Sequence, residues 1–487
     1  MIQVGRKVLI RLIILIFIIF FYACSPTSNK EIKNFLIPLV QGNGIGPIAI
    51  HENLDSLDSE EIPFRENLVN FEWALLYGDH LKLTKNSQLA VDGNGFIYIA
   101  ADTDGNPFYD SSVNRLIIGK NLVFGKYDSQ KNEIWTHQLG NPYVNFDVTG
   151  IAVDTKGNAY ITGSIIKNSF EESRIEKKQL LFVIKVNPEG DLEWIRETGS
   201  TNDAYRINPG KITVDTLGNS YIVGTSNGPF EGDNIKPENG FITKFDTHGN
   251  QIWVKELPGS EAKMTPTSVA FDKRSGNVYL CGSVNNNNIR NDKNSGIGRN
   301  DLLIFKYDEN GNGQLFARLG FALGSVFGYT ITTDALGNIL VGAETDVDFA
   351  SKTIQDNSHN GLIIKYDSSG MQKWIRQFSP STPLKSTFIS EITTDRVGNV
   401  FTTGSTNGFI KFNDGPSEGN KDVFVTKHSP SGEVLKLWQW GNQQQTMIGS
   451  GIGIDLNGNL YTTGWTDGEL FGNPNIGTID VFLIKFQ

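Results

Sequence analysis

The amino-acid sequence predicts an all-β fold, a seven-bladed β-propeller of four-stranded blades. The 487 residues include 52 glycines, 11% aromatic residues and only 20% charged residues. Such a composition is typical of many short strands joined by glycine turns. A unit of about sixty residues also recurs seven times along the chain, and repeats of a fixed period are the sequence signature of propellers and solenoids.

The first repeated signature is an aspartate that ends one strand, followed by a glycine and then an aromatic residue in the next strand. A well-formed copy runs from Val153 to Tyr160 (VDTKGNAY). Asp154 and Gly157 predict a tight turn, because aspartate accepts hydrogen bonds from nearby amides and glycine adopts positive φ. The aspartates of successive copies, 57 to 62 residues apart, are Asp92, Asp154, Asp215, Asp272, Asp334, Asp395 and Asp455.

The second signature is an apolar strand that ends in lysine and leads through a turn to a tryptophan strand, as in Lys185 and Trp194. The tryptophan is expected to wedge between neighbouring blades, and the lysine to lie over the same seam with its ammonium group in water. The further pairs are Lys126 with Trp135, Lys244 with Trp253, Lys306 with Phe316, Lys365 with Trp374, and Lys427 with Trp438.

The two ends of the repeat region are complementary. The last lysine strand, Phe482 to Gln487, has no tryptophan strand after it, and a tryptophan strand without a lysine strand, Asn70 to Gly78, comes first. This circular shift predicts that the N-terminal strand completes the last blade and closes the ring, which leaves no sheet edge exposed.

The N-terminus is typical of a secretory signal peptide. Three basic residues flank an uncharged run from Leu12 to Phe21, which is about half of the ~20 residues that span a bilayer. The run ends in Phe21-Tyr22-Ala23-Cys24, which resembles the lipobox of bacterial lipoproteins with phenylalanine in place of the usual leucine. That resemblance implies cleavage before Cys24 and lipid attachment to its sulfur. A signal peptide cut near Ala23 and an uncleaved anchor helix are the alternatives.

The sequence therefore divides into three parts: a lipoprotein signal peptide at 1–23, a linker at 24–66, and the propeller at 67–487. The linker contains the acidic stretch from Asp55 to Glu61 and two apolar pieces, Phe35 to Val40 and Ile48 to Ile50. These apolar pieces leave room for part of the linker to pack against the propeller.

The two signatures together resemble the bacterial seven-bladed β-propeller repeat known as SBBP. The resemblance covers residues from about 70 to the end of the chain. It implies the architecture and export but little chemistry, since members of that family are mostly exported proteins of unassigned role.

Composition and motifs favour no known catalytic or metal-binding chemistry. The formal net charge is −10 without a basic stripe, so nucleic acid is not an expected partner. The six histidines are scattered, and neither a nucleophile elbow nor a phosphate loop is present. No cofactor or metal ion is expected, and Cys281 is expected to be a small buried hydrophobe.

One stretch, Asp308 to Gly313, matches the start of a calcium loop. Its twelfth position is Leu319 where such a loop needs a bidentate glutamate, so a turn is expected there. Asp346 and Asp348 are expected to be solvated loop residues.

Function is expected on the face that carries long connections, because binding residues tend to occupy variable loops on a rigid scaffold. Phenylalanines that recur in these loops are expected to hold them down: Phe108, Phe230, Phe349, Phe409 and Phe471. The connections are Asp102 to Lys120, Ser164 to Lys178, Thr225 to Asn239, Ser283 to Asn300, Glu344 to Asn360, Ser405 to Lys421 and Trp465 to Thr478.

The resulting hypothesis is a non-enzymatic, monomeric binding or scaffold module, lipid-anchored in the cell envelope at the outer membrane, with a protein or glycan partner. Two alternatives remain. The loops could be solvated insertions only, or the ring could be an envelope enzyme: a lyase or hydrolase assembled from several blades, or a quinoprotein-type dehydrogenase. An enzyme would require a charged, histidine-bearing pocket near the ring axis.

Overall fold

The computed structural model describes residues 48–50, 71–78, 82–105, 119–171, 174–199, 205–228, 239–257, 264–285, 298–321, 323–349, 351, 353–354, 358–380, 384–408, 410, 420–441 and 444–486. All of them belong to one unit, residues 45–107 and 116–487. Within these ranges the chain forms strands but no helix long and apolar enough to cross a membrane.

The described residues form seven antiparallel sheets of four or five strands, which are the seven predicted blades. The chain begins with β1 (Ile48–Ile50) and β2 (Phe71–Tyr77). The first three blades are β3 (Thr84–Val91), β4 (Ile97–Thr103), β5 (Asn121–Tyr127) and β6 (Glu133–Leu139); β7 (Val144–Val153), β8 (Ala159–Glu171), β9 (Arg174–Val186) and β10 (Leu192–Thr198); and β11 (Ile207–Val214), β12 (Ser220–Ser226), β13 (Asn239–Phe245) and β14 (Gln251–Glu256).

The fourth to seventh blades continue the same order. They are β15 (Met264–Phe271), β16 (Val278–Asn285), β17 (Asn300–Tyr307) and β18 (Gly313–Leu319); β19 (Val326–Thr333), β20 (Ile339–Thr345), β23 (Asn360–Tyr366) and β24 (Gln372–Phe378), with β21 (Val347–Asp348) and β22 (Thr353–Ile354) as a small hairpin; β25 (Thr387–Thr394), β26 (Val400–Thr406), β27 (Asp422–His428) and β28 (Val434–Trp440); and β29 (Met447–Ile454), β30 (Leu460–Thr466) and β31 (Asp480–Phe486).

The ring closes as predicted. Strand β2 pairs with β31, with Trp73 opposite Lys485, so the N-terminal strand is the fourth strand of the seventh blade. Strand β1 adds a fifth strand at the outer edge of that blade, with Ile48 opposite Leu76. The apolar piece from Ile48 to Ile50 therefore pairs with the propeller.

The order of the strands determines which turns and loops lie on each face of the ring. The first strands of neighbouring blades contact each other and surround the axis, whereas the fourth strands are outermost. The turns after the first and third strands lie on one face, the short-turn face. The connections between second and third strands lie on the opposite face, the long-loop face, together with the links between blades. This arrangement confirms the predicted placement of the connections.

One predicted loop is wrong. Residues Ser164 to Lys178 were expected to form a long connection, but β8 and β9 continue through them as a hairpin, with Lys167 opposite Lys178 and Glu171 opposite Arg174. The pairing runs without a register shift from Ala159 opposite Val186 to Glu171 opposite Arg174. The second blade therefore projects a regular ribbon from the long-loop face.

The repeated aspartate ties its turn together and, in the first and second blades, contacts a tyrosine that bonds to the turn of the next blade. Asp154 Oδ1 accepts the backbone amides of Lys156 and Asn158, at 2.8 and 3.0 Å. The Tyr160 hydroxyl lies 3.3 Å from Asp154 Oδ2 and donates at 2.9 Å to the carbonyl of Gly218, which lies in the turn of the following blade. The turn prediction is confirmed.

The tryptophan and the lysine also fasten neighbouring blades. Trp194 Nε1 and Lys185 Nζ both donate to the carbonyl of Thr247 in the following blade, at 3.0 and 3.4 Å. Equivalent pairs of bonds are made by Trp73 and Lys485 to Ser129, Trp135 and Lys126 to Pro188, Trp253 and Lys244 to Glu309, and Trp374 and Lys365 to Pro430.

The expectation that the lysine heads lie in water is wrong for four of them. Lys185 is only 7% exposed, and its ammonium lies 5.6 Å from the centre of the Tyr160 ring. The next blade's turn covers the head and offers it a carbonyl, which replaces the water it loses. The other buried lysines of this set are Lys126, Lys365 and Lys485.

Two blades depart from the predicted lysine–tryptophan pairing. In the sixth blade Lys427 lies opposite Lys436, and Trp438 lies two residues further along, opposite Val425. The Trp438 side chain is buried, but its Nε1 has no hydrogen-bond partner in the part of the chain that the structure describes. In the fourth blade the register also shifts, and Lys306 faces Gln314.

Candidate functional site

Each of the seven first strands carries a β-bulge at the same position in its pairing with the second strand. A bulge bends its strand and re-aims a side chain. Three bulges link to the next blade: Thr149 Oγ1 donates to the Gly210 carbonyl at 2.7 Å, Thr267 Oγ1 donates to the Gly328 carbonyl at 2.8 Å, and the hydroxyls of Ser450 and Ser87 lie 3.0 Å apart. The extra residues are Asn86, Ser87, Thr149, Gly210, Lys211, Thr267, Tyr329, Ser390 and Ser450.

An ion pair crosses the axis at the level of the bulges. Lys211 of the third blade pairs with Glu391 of the sixth, and Thr330 Oγ1 of the fifth blade donates to the same carboxylate. Blades three positions apart in a ring of seven lie on opposite sides of the axis. The pair therefore bridges the centre of the ring, where each side chain is 19% exposed.

A cavity of about 210 Å³ lies on the axis, between this bridge and the short-turn face. Residues of all seven first strands line it, among them Gln88, Ser268 and Thr332. The lining contains the bridge but no histidine among the described residues. Its two charges neutralise each other, so the cavity offers hydrogen-bonding groups without a free charge.

A second group of polar and aromatic residues lies on the long-loop face where the fifth and sixth blades meet. We call Phe327, Tyr329, Glu344, His359 and Phe388 the seam cluster. Glu344 lies directly opposite Phe327 in the strand ladder, so both side chains point to the same side of the sheet. His359 Nδ1 pairs with Glu344 Oε1, and the His359 ring stacks on Phe388 with centroids 6.3 Å apart.

The seam cluster places its carboxylate below its aromatic rings. Glu344 is only 3% exposed, whereas Tyr329 is 38% exposed and Phe327 and Phe388 are half-buried. Lys421 Nζ, also at the surface, lies 5.6 Å from the centre of the Phe388 ring. A molecule that rests on the rings would therefore meet the carboxylate at its edge.

Hydrogen bonding within the seam cluster is incomplete. The hydrogen bond to Glu344 raises the pKa of His359 against the effect of burial, and Asp346 raises it further. Burial, with the charge of the Glu344 carboxylate and a hydrogen bond to it, raises the pKa of Tyr329, so its hydroxyl stays protonated at neutral pH. Glu344 Oε2 is buried without a hydrogen-bond partner among the described residues, an arrangement that costs free energy until a donor arrives.

The equivalent position in the first blade shows a different solution. Asp102 stands where Glu344 stands in the fifth blade, and it pairs with Lys120 at 2.9 Å and accepts Asn86 Nδ2 at 2.8 Å. Lys120 also pairs with Asp147. Burial, outweighing these partners, raises the pKa of Asp102. The first blade thus encloses its carboxylate with polar partners.

Several residues singled out in the sequence occupy structural places. Phe471 stacks on Phe71 with centroids 4.3 Å apart, and Phe349 packs against the core of the fifth blade, so both hold down their loops as predicted. Phe108, Phe230 and Phe409 lie outside the described residues, as does Cys24.

The calcium alternative at Asp308 has no support. Asp308 Oδ1 accepts the amides of Asn310 and Asn312, and Oδ2 accepts Asn312 Nδ2. These bonds lower the pKa of Asp308 and are those of the turn that was predicted. No cluster of three metal-ligating side chains occurs among the described residues. Cys281 is a buried free cysteine, in agreement with its prediction.

Sequence reasoning missed the seam cluster and the axial bridge. One signal was available. At the bulge most copies of the repeat carry glycine, serine or threonine, whereas Lys211 and Tyr329 are large. Glu344 similarly stands where four other blades have serine or threonine, at Ser164, Thr225, Ser283 and Ser405. A large residue at a repeat position that is small in most other blades is therefore a candidate functional residue.

Fold and repeat together define the class of protein: a closed seven-bladed β-propeller. The sequence model of the family described as "SBBP: Beta-propeller repeat" matches seven stretches that together span more than half of the chain, and the protein belongs to this family. The matched residues are 72–109, 134–171, 193–231, 252–290, 316–350, 373–410 and 439–472. No curated protein matches the chain.

Solved structures resemble the chain only remotely. Hydrazine synthase of Kuenenia stuttgartiensis is 9% identical with a TM-score of 0.44, covering 77% of this chain and 91% of that one. A protein of unknown function from Dyadobacter fermentans is 8% identical with a TM-score of 0.42, covering 86% and 99%. These likenesses carry no inference about function.

Proposed function

We propose that this protein is an exported binding module, anchored by lipid at Cys24 in the outer membrane as a monomer, that captures a protein or glycan partner through its long-loop face. It acts by binding, without turnover. The observation that carries the proposal is the seam cluster, in which half-exposed aromatic rings surround a buried carboxylate with an unpartnered oxygen.

Aromatic side chains at the surface of a rigid scaffold support binding rather than folding. Tyr329 is 38% exposed although it lies on an innermost strand, so its ring contributes little to the core. Large rigid rings next to a few oriented polar groups are typical of recognition sites. The ring of blades supports them from below, because each seam is fastened by hydrogen bonds to the next blade.

The axial cavity supports the proposal less well. The charged groups among the described residues that line it, Lys211 and Glu391, are paired with each other across the ring. A ligand that used either group would have to break that pair.

Co-sedimentation with cell-envelope fractions tests the proposal. The full chain without its signal peptide is expected to bind the fraction, and Tyr329→Ala is expected to weaken binding at least tenfold. Tyr143→Ala is the matched control, because Tyr143 is a 56% exposed tyrosine in a link between the first two blades on the same face. Equal binding by both variants would contradict a site at the seam.

Treating the envelope fraction before the assay separates the two kinds of partner. Protease digestion abolishes binding if the partner is a protein, and periodate oxidation abolishes it if the partner is a glycan. Binding that survives both treatments and both variants would refute the proposal.

Protease shaving of intact cells tests the location, with a periplasmic protein as the integrity control. Release of peptides from residues 100 to 480 would place the propeller on the cell surface, and their protection until the outer membrane is breached would place it inside. Retention of radiolabelled palmitate by the wild type, and its loss in Cys24→Ala, tests the lipid anchor.

A second candidate function is favoured by one observation. The seam cluster brings a histidine, a carboxylate and a tyrosine hydroxyl together at the axial end of the long-loop face, which is the kind of pocket that an envelope lyase or hydrolase requires. Release of product from a captured glycan by the wild type, and its loss in His359→Gln with binding retained, would favour this function over simple binding.

A further inference from the structure

We propose that the seam cluster binds a neutral saccharide, whose ring stacks on Phe388 or Tyr329 while one of its hydroxyl groups donates to Glu344 Oε2. This inference rests on the proposed function and names the ligand class of the same site. Three features of the cluster carry it: the rings, the unpartnered oxygen and the charge.

The first feature is the pairing of exposed rings with polar edges. A pyranose presents apolar C–H faces and polar hydroxyl edges, so it fits a site with aromatic faces beside hydrogen-bonding groups. Tyr329 supplies an exposed ring and a hydroxyl that hydrogen-bonds the Glu344 carboxylate, and the Phe388 ring contacts His359 and Lys421. These groups supply flat apolar area at little cost in side-chain entropy.

The second feature is Glu344. One of its oxygens pairs with His359, and the other, Oε2, is buried without a partner among the described residues. A buried carboxylate oxygen without a donor is a strong, unfilled acceptor. A saccharide hydroxyl would donate to this oxygen without adding a charge. In the first blade the side-chain amide of Asn86 donates in the same way to Asp102, at the position equivalent to Glu344.

The third feature is charge. His359 pairs with Glu344, and Arg299 pairs with Asp346, so two acidic and two basic groups already balance next to the rings. An acidic sugar placed over Glu344 would meet a buried like charge. Lys421 adds a further cation, and its contact with the Phe388 ring does not require a counter-ion. Neutral saccharides therefore fit the cluster better than acidic ones.

The test measures dissociation constants of the full chain without its signal peptide for six neutral oligosaccharides, each of six residues. The panel contains β-1,4-glucan, β-1,3-glucan, α-1,4-glucan, β-1,4-mannan, β-1,4-xylan and chitin oligosaccharides, with hexagalacturonate as the acidic probe. At least one neutral member is expected to bind, and hexagalacturonate is expected to bind at least tenfold more weakly.

The variants assign the binding to named groups. Tyr329→Ala and Phe388→Ala are each expected to weaken binding at least tenfold, and Glu344→Gln about tenfold. Tyr143→Ala is expected to leave the dissociation constant unchanged. Thermal unfolding of each variant shows whether the ring remains folded, and the exposed Tyr329 keeps the test valid if Glu344→Gln destabilises the seam.

The outcomes separate this inference from the proposed function. Binding only to hexagalacturonate, or equal losses in Tyr329→Ala and Tyr143→Ala, would overturn the saccharide site. If no neutral probe binds and the envelope partner is sensitive to protease, the binding module stands and the saccharide inference fails. If envelope binding is also indifferent to Tyr329→Ala, both fail.

Discussion

Replacement of His428 by tyrosine is expected to reduce the loss of folding free energy that the protein undergoes in mild acid. His428 is fully buried on the third strand of the sixth blade, where its Nε2 lies 3.0 Å from Thr426 Oγ1. Its ring packs edge-on to Phe378. The same position holds tyrosine in three other blades, at Tyr127, Tyr307 and Tyr366, so the fold already accommodates the larger ring.

The magnitude follows from the titration of the imidazole. Burial, with a smaller contribution from Arg376, lowers the pKa of His428 from 6.5 to about 4. The unfolded chain therefore binds a proton at a pH where the folded chain does not. The contribution of neutral His428 to the free energy of unfolding is fully present above pH 6.5. It is lost as the pH falls from 6.5 to 4, by about 3 kcal/mol in total.

Urea unfolding of the wild type and His428→Tyr at pH 8 and pH 4.5 measures this effect. Because other groups titrate equally in both proteins, the gain of the variant at pH 4.5 relative to pH 8 isolates His428. We expect about 2 to 3 kcal/mol. An equal difference between the two proteins at both values of pH would refute a buried neutral imidazole.

Three further predictions concern the ring itself. Lys211→Met or Glu391→Gln alone should lower the free energy of unfolding by about 2 kcal/mol, because each single change leaves a half-buried group unpaired. The double variant should lose less than the sum of the two single variants. Additive losses would contradict the bridge. Trp135→Phe should cost about 1 kcal/mol more than Trp438→Phe, since only Trp135 donates a hydrogen bond, and equal losses would contradict this. Cys281, whose pKa burial raises to about 12, should react with a thiol reagent only on unfolding; rapid reaction of the folded protein would refute its burial.

The architecture was predictable because its determinants are periodic and local. The turn at Asp154 depends on neighbouring residues only, and its aspartate recurs every 57 to 62 residues. Ring closure followed from where the tryptophan strand of Trp73 lies relative to the last lysine strand. Both inferences depend on sequence order alone.

Features that depend on the contact between two blades were not predictable in the same way. The head of Lys185 is buried because a turn 62 residues further along covers it. The register shift that displaces Trp438 from Lys427 is invisible in spacing. The hairpin after Ser164 replaced an expected loop because strand pairing continued beyond the repeat unit.

The candidate site belongs to this second kind. Glu344 and His359 lie on opposite sides of a long connection, and Phe388 belongs to the next blade. Tyr329 and Glu344 are large residues at repeat positions that are small in most other blades, but only the ring brings the members of the cluster together. What the sequence did predict is the face on which they lie.

Photocrosslinking in living cells tests the central claim most directly. The photoreactive amino acid p-benzoylphenylalanine replaces Tyr329 in one strain and Tyr143 in another, and the crosslinked products are compared by mass. The seam site predicts an adduct from position 329 and none from position 143. An adduct from position 143 alone, or from neither position while the protein remains folded, would contradict binding at the seam of the fifth and sixth blades.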